Sequence, residues 1–216
     1  MPAGEPRSSR PRLDERSGGD ARPPERLTIG GLVIRRWRSE DLDALQRAVA
    51  ESIEALRPWL AWANDDPSSQ REFLEASAQA WKGGDRFEYA IEGLDEELVG
   101  SVGLMRRIGP GGLEIGYWVH SRHSGRGIAK LATAALTDAA FGLLAWVDHV
   151  EIHHDQLNLA SRAVPEGLGF RIVESVEKVP MALSESGVDL IWRLGRADYP
   201  ASPARALLAR SGARGG

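Results

Sequence analysis

The residues best placed for chemistry are Ser124, Gly125, Arg126, Gly127, Ile128 and Ala129, two glycines set just ahead of a run with helical periodicity. The first turn of a helix carries unpaired N–H groups and the positive end of the aligned peptide dipoles, so a loop there suits an anion. Gly125 and Gly127 let backbone approach a ligand, and Arg122 and Arg126 add cations beside it. On these residues alone, a phosphate or pyrophosphate cradle and a plain turn stand at equal odds. A P-loop is excluded, because Gly127 is followed by Ile128 and Ala129 rather than Lys and Ser or Thr. A dinucleotide fingerprint is disfavoured, because Lys130 stands where its third glycine belongs, although Glu151 lies near the end of the next strand.

Glu114 lies in a segment of alternating apolar residues, where a carboxylate faces solvent, pairs with a cation or acts as a base. An ion pair and a general base are equally compatible with the position itself. Asn158 precedes a helical pattern and reads as its N-cap, with Ser161 three residues on and close to the same face. Trp59, Trp62 and Trp81 suit a core more readily than a substrate mouth. All five histidines fall between His120 and His154. His153 and His154 are adjacent on a strand and point to opposite faces, so they do not chelate one metal together. With no cysteine in the chain, structural or solvent roles outweigh a metal site. A serine-hydrolase triad has no Gly-x-Ser-x-Gly elbow to support it.

These groups must be held by regular elements. Leu113, Ile115, Tyr117 and Val119 alternate with Glu114, Gly116 and Trp118, the period of a strand that places the last three on one face. From Ile128 the period changes: Ile128, Ala132, Leu136, Ala140 and Leu144 form one helical row, broad and Ala-rich enough to sit close to a sheet. Upstream, residues 27–36 read as a hairpin around Gly30 and Gly31. A helix capped by Ser39 follows and ends at Pro58, and a second, capped by Ser69 with Glu72, ends at Gly83 and Gly84. Strands are expected at 87–91, 98–106 and 147–154, and a last hairpin at 170–181 and 188–194. Strands on both sides of two crossover helices indicate an α+β single domain, a mixed sheet flanked by helices on both faces, over 27–195. Residues 1–26 read as a disordered N-terminal tail, and 196–216 as a flexible C-terminal tail holding at most a turn of helix at 205–210.

A chain of 216 residues, 42% hydrophobic, suits one domain with a sizeable core. Its net charge of −4 makes no case for nucleic acid or membrane as a partner. The absence of cysteine removes thiolate nucleophiles, disulfides and Cys-based zinc sites and is compatible with a cytoplasmic setting. No apolar run is long enough to span a bilayer, and the first 26 residues lack the apolar core of a signal peptide. A homodimer or higher homo-oligomer stays open.

Three blocks carry a family resemblance. SGRGIA, at 124–129, resembles the acetyl-CoA pyrophosphate loop of the GNAT acyltransferase superfamily; Gly127 and Ala129 match, and Ser124 departs from the usual Gln or Arg. NLASRAVPEGLGF, at 158–170, and EALRPWLAW, at 54–62, resemble segments of the ribosomal-protein N-terminal acetyltransferases, the RimJ/RimL-like branch. LVGSVGL, at 98–104, resembles the third strand of GNAT proteins. The resemblance implies a mostly antiparallel sheet whose fourth and fifth strands splay to admit a pantetheine arm, and an acyl-CoA, most simply acetyl-CoA, as co-substrate with no metal. It implies a CoA site at 124–129 with Trp118, Val119, Asn158 and Ser161, a general base at Glu114, a proton donor at Ser161, and acceptor contacts from Trp59 and Trp62. The acceptor would be an amine: a peptide N-terminus, a lysine or a small amine. Two departures bear on Ser161: Pro165 removes the helical hydrogen bond to its carbonyl, and Gly167 stands where Lys is usual. A non-catalytic acyl-CoA-binding sensor and a succinyl-CoA-using enzyme are the alternatives.

Overall fold

The computed structural model describes residues 21–64 and 66–212, so most of the expected N-terminal tail lies outside the described residues. Among the described residues, eight strands form one sheet in the order β1-β2-β3-β4-β5-β6-β8-β7. β1 (Arg26–Ile29) and β2 (Leu32–Arg36) make the expected hairpin, turned by Gly30 and Gly31 at φ 57° and 81°. β3 (Arg86–Glu92), β4 (Leu98–Met105) and β5 (Gly112–Val119) continue it antiparallel. β6 (His149–Asp155) then joins β5 in parallel, which requires a crossover, and α3 (Ile128–Leu143) provides it. β7 (Arg171–Glu177) and β8 (Val188–Gly195) form the final hairpin, with β8 against β6 and β7 at the edge. The parallel pairing covers only Gly112, Leu113 and Glu114 against His149, Val150 and Glu151. Beyond Glu114 both strands run on without pairing to each other, so the splay expected of the family's fourth and fifth strands falls here between β5 and β6.

Strand alternation divides the core in two. Leu113 and Ile115 of β5 pack with Ala132, Leu136 and Ala140 of α3 in the larger cluster. Trp118 turns to the smaller cluster, with Leu45 and Val49 of α1 (Leu42–Leu56) and Leu74 of α2 (Pro67–Gly83). Helices therefore cover both faces of a mixed, mostly antiparallel sheet, an α+β fold.

Helix starts differ from expectation. Ser39 does not cap α1: its hydroxyl turns to Glu40, while Asp41 accepts the Arg38 N–H and a two-pronged contact from Arg35 at 2.7 Å on each oxygen. α2 begins at Pro67 under Asp66, whose carboxylate accepts the Ser68 N–H at 2.9 Å, rather than under Ser69. At α2 a nearby carboxylate, the stronger acceptor, takes the role assigned to a hydroxyl, whereas α1 starts from Asp41 with no side-chain cap on its first turn. The segment after Gly195 also differs from the expected flexible tail. Arg196 spreads its guanidinium over the carbonyls of Val147, Phe141 and Leu144, closing the end of α3. Tyr199 is buried, and α5 (Pro203–Gly212) lays Ala204 and Leu208 into the larger core. The short apolar spacing of Ala204 and Leu208 was hidden among arginines, which keep their charged ends on the outer face.

Candidate active site

A cleft of about 1030 Å³ opens where β5 and β6 part. Its walls include Trp118 and Val119 of β5, His153 of β6, Asn158 and Ser161 at the start of α4 (Leu159–Leu168), and the loop into α3. That loop presents Ser124, Gly125, Gly127, Ile128 and Ala129 to the cleft. Gly125 and Gly127 hold left-handed backbone, at φ 76° and 79°, and Gly127 is the N-cap of α3. The first turn of α3 thus borders the cleft, with nothing within 4 Å of the Cβ that Gly125 and Gly127 lack, a setting that suits an anion. At the other end, Trp59 and Trp62 line the cleft, and Trp62 leans on Trp118 with ring centroids 6.1 Å apart. The β7–β8 loop reaches this side too, where the Ser184 N–H donates to the Pro58 carbonyl at 2.9 Å.

Charged residues collect on the sheet face beneath the cleft. Glu114, buried, accepts from Arg107 through both oxygens, one of them 2.6 Å from Nε. His153 Nδ1 lies 3.8 Å from the same carboxylate, and His153 Nε2 lies 2.7 Å from Glu151. Glu151 also accepts from Arg193 at 2.7 Å; burial works against its charge, but His153 and Arg193 prevail and hold its carboxyl below the usual range. Glu88 differs. It stands on β3 across from Gly103, itself across from Gly116, so two glycines leave room beside it. Its nearest cation is Arg86 Nε at 3.2 Å, and among the described residues its carboxylate makes no hydrogen bond. Burial pushes its carboxyl above the ordinary value, opposed by Arg86 and Arg107.

On the facing side, Asn158 accepts the Ser161 N–H at 3.0 Å and so caps α4. The Tyr117 hydroxyl lies 3.0 Å from the Ser161 carbonyl oxygen and 3.1 Å from Ser161 Oγ. Burial raises the Tyr117 phenol, though its bond to Ser161 acts the other way.

The model of the acetyltransferase (GNAT) domain matches residues 31–171, more than half of the chain. The chain belongs to the GNAT acetyltransferase family. It is 31% identical over 147 residues to YdaF of Bacillus subtilis (strain 168), assigned as a ribosomal N-acetyltransferase, covering 64% of this chain and 77% of the relative. Among solved structures, Mycobacterium smegmatis RimJ, in complex with a CoA disulfide, superposes with a TM-score of 0.74 at 24% identity, over 86% of this chain and 92% of that one. RimL, a ribosomal L7/L12 α-N-protein acetyltransferase in complex with coenzyme A, gives 0.70 at 19% identity, over 78% and 98%. The microcin C7 self-immunity acetyltransferase MccE, in complex with acetyl-CoA and AMP, gives 0.70 at 17% identity, over 76% and 92%. At these identities the structures speak for the fold.

Within this GNAT domain the residues expected at the site converge on one cleft, except Arg126, which lines a smaller neighbouring groove with Gly30 and Leu94. Arg122 is likewise turned away, paired with Glu51 of α1. Beside the loop the cleft is lined by Lys130, in the first turn of α3; its Nζ lies where a side chain at Gly167 would stand. Sequence reading missed Arg107, Glu88 and Tyr117. Glu88 alternates with Phe87 and Tyr89 as Glu114 does with Leu113 and Ile115, so the same signal was present. Tyr117 was read as an apolar strand position. Arg107 lies just past β4, where spacing does not reveal its partner. Among the described residues no group of three or more His, Cys, Asp or Glu side chains is arranged to hold a metal ion.

Proposed function

We propose that this protein transfers an acyl group, most simply acetyl, from acyl-CoA to a primary amine, with the α-amine of a protein N-terminus as acceptor. The observation that carries this reading is the single cleft joining the open N-terminus of α3, the splay of β5 from β6, and a floor of carboxylates. The CoA pyrophosphate would rest on the backbone N–H groups of 124–129, with Lys130 beside it. The pantetheine arm would run along Trp118 and Val119, bonding β5 where β6 has left it, with Asn158 nearby. The acceptor, entering past Trp59 and Trp62, would attack the thioester carbonyl directly. Its nitrogen forms the new bond to carbon, Glu114 takes the amine proton directly or through water, and the carbon–sulfur bond breaks. Backbone N–H groups of β5 beyond Glu114 would stabilise the oxyanion, and Ser161 would hydrogen-bond the departing sulfur. The names of YdaF and RimL support a ribosomal protein as acceptor, and an α-amine, with a pKa near ~8, needs less help from a base than a lysine. Among the described residues no helix is long and apolar enough to cross a membrane; we place the reaction in the cytoplasm, where such acceptors are made.

The chain has no cysteine, so released CoA is the only thiol in the assay and a thiol-reactive dye reports turnover without protein background. Acetyl-CoA with peptides bearing a free N-terminus should release thiol, and Nα-blocked peptides should not. Glu114→Gln should lower the rate near neutral pH by about 10²–10⁴-fold, partly recovered at higher pH. An acyl-CoA bound tightly but consumed with no amine of a broad panel would make the protein a sensor instead.

A second assignment of the base has its own support. Arg107 engages both oxygens of Glu114, whereas the Glu88 carboxylate makes no hydrogen bond among the described residues and is made more basic by burial. If Glu88 takes the proton, Glu88→Gln loses the larger factor and Glu114→Gln only the contribution of a nearby negative charge.

A further inference from the structure

We propose that Tyr117 is a positioning residue for Ser161, and that Pro165 creates the carbonyl on which it docks. This rests on the acyltransferase reading above and deepens its leaving-group side. In an α-helix the carbonyl of residue 161 accepts from the N–H of residue 165. Residue 165 is proline, inside α4, and has no N–H to give. The Tyr117 hydroxyl, from a strand 44 residues away in sequence, occupies the place of that donor, 3.0 Å from the carbonyl oxygen. A carbonyl has no proton, so this contact has one polarity: Tyr117 donates.

The consequence falls on Ser161. A phenol has one proton, and with it committed to the carbonyl the Tyr117 oxygen is left as an acceptor. Ser161 Oγ, 3.1 Å away, is then the donor of the second contact. The serine hydroxyl, otherwise a free rotor, gains a defined direction at the cleft wall, while Asn158 fixes its own N–H. Hydrogen bonds to a charged acceptor are stronger than those to a neutral one, so a sulfur acquiring negative charge outcompetes the phenol oxygen and the Ser161 proton swings to it. No O–H bond breaks; the thiolate departs hydrogen-bonded and takes its proton from solvent. Were residue 165 to carry an N–H, the helical bond would satisfy the carbonyl and free the Tyr117 proton for another acceptor. Tyr117 would then donate to Ser161 Oγ, and Ser161 would present its oxygen where its proton is needed. Proline thus sets the direction of the pair.

The test measures kcat, the acyl-CoA KM and the melting temperature of full-length variants. Tyr117→Phe should lower kcat about tenfold, the worth of one hydrogen bond, with the acyl-CoA KM nearly unchanged. In a Ser161→Ala background, Tyr117→Phe should cost no further rate, because Tyr117 acts through that hydroxyl. Pro165→Ala restores a backbone donor to the carbonyl, so added to Tyr117→Phe it should recover melting temperature but not kcat. Recovery of both would make Tyr117 a purely structural partner and overturn the proposal. So would an unchanged kcat in Tyr117→Phe, or multiplying losses in Tyr117→Phe/Ser161→Ala. If Tyr117→Phe does not fold, Pro165→Ala alone decides: it should keep stability and lose kcat, and full rate sinks the idea. A wild-type chain that releases no thiol from any amine removes the acyltransferase reading and this one together. Wild-type turnover with indifferent variants removes only this one.

Discussion

Glu88 and Glu114 reach the same cleft from two strands, and their surroundings give them different characters. Arg107 holds Glu114 by both oxygens, while the Glu88 carboxylate has no hydrogen bond among the described residues and a pKa raised by burial. For Glu88 the consequence for stability has a definite sign. Its folded pKa lies above its unfolded one, so folding is unpenalised below the unfolded value, near ~4.3, and loses stability as pH rises through the folded value. Glu88→Gln removes the ionising group and that loss with it. The variant should therefore be more stable than the parent at neutral pH, with the advantage fading as pH falls into the carboxylate range. Urea denaturation of both proteins from about pH 4 to 8 measures this. A constant difference across that range would mean that Glu88 is not penalised by burial. A stabilising substitution that costs activity is the signature of a group kept for function.

At the scale of elements, α3 is defined by what closes its two ends. Gly127 caps the first with left-handed backbone, and Arg196 covers the carbonyls of the last. Nothing lies within 4 Å of the Cβ that Gly127 lacks. Gly127→Ala therefore displaces no protein atom, costs about 1 kcal/mol of backbone strain and puts a methyl group on the ligand side of the loop. CoA binding by calorimetry should weaken about tenfold, as for losing one charge-assisted hydrogen bond. Unchanged affinity in a folded variant would place the pyrophosphate elsewhere. The first end of α3 was legible in the sequence because glycines before an apolar helical row leave a local signal. The second was not, since Arg196 lies 49 residues beyond Val147 and their contact follows from topology. The same division holds elsewhere. The period-2 rows of β5 and the glycines of the β1–β2 hairpin are local and were read correctly. The caps of α1 and α2 were misplaced: Asp66 competes with Ser69 at α2, and α1 starts from Asp41, whose carboxylate is engaged by Arg35 rather than by the helix, outcomes that spacing does not decide. Glu114 and Ser161 were read as positions but their partners were not: Arg107 meets Glu114 across the β4–β5 connection, and Tyr117 reaches Ser161 from 44 residues away.

The whole molecule is fastened at both ends of the described chain, to different degrees. Near the start, Arg22 donates to the Lys82 carbonyl at the surface, and the Tyr89 hydroxyl donates to the Pro24 carbonyl. Removal of residues 1–21 spares these contacts and should shift unfolding free energy by no more than about 0.5 kcal/mol. The other end is built in. α5 packs Ala204 and Leu208 into the core shared with α3. Pro203 Cδ stands only 2.5 Å from where a Cβ on Gly169 would lie, so the start of α5 seats directly on the C-cap of α4. Gly169 holds φ 83°, and the absence of a side chain permits both that turn and this approach. Because α4 carries Asn158 and Ser161 at its opposite end, α5 braces the helix that presents them to the cleft. Deleting residues 203–216 should cost about 3 kcal/mol or more, from the lost Leu208 burial and the newly exposed face of α3. Activity should fall further than stability alone explains. At temperatures where the truncated protein is still fully folded, α4 has lost its brace and kcat should drop while CoA affinity, set by the α3 loop, changes little. Urea midpoints and thiol-release rates on the same preparations separate the two effects. A truncated protein with the parent's midpoint and kcat would return 203–216 to the status of a tail.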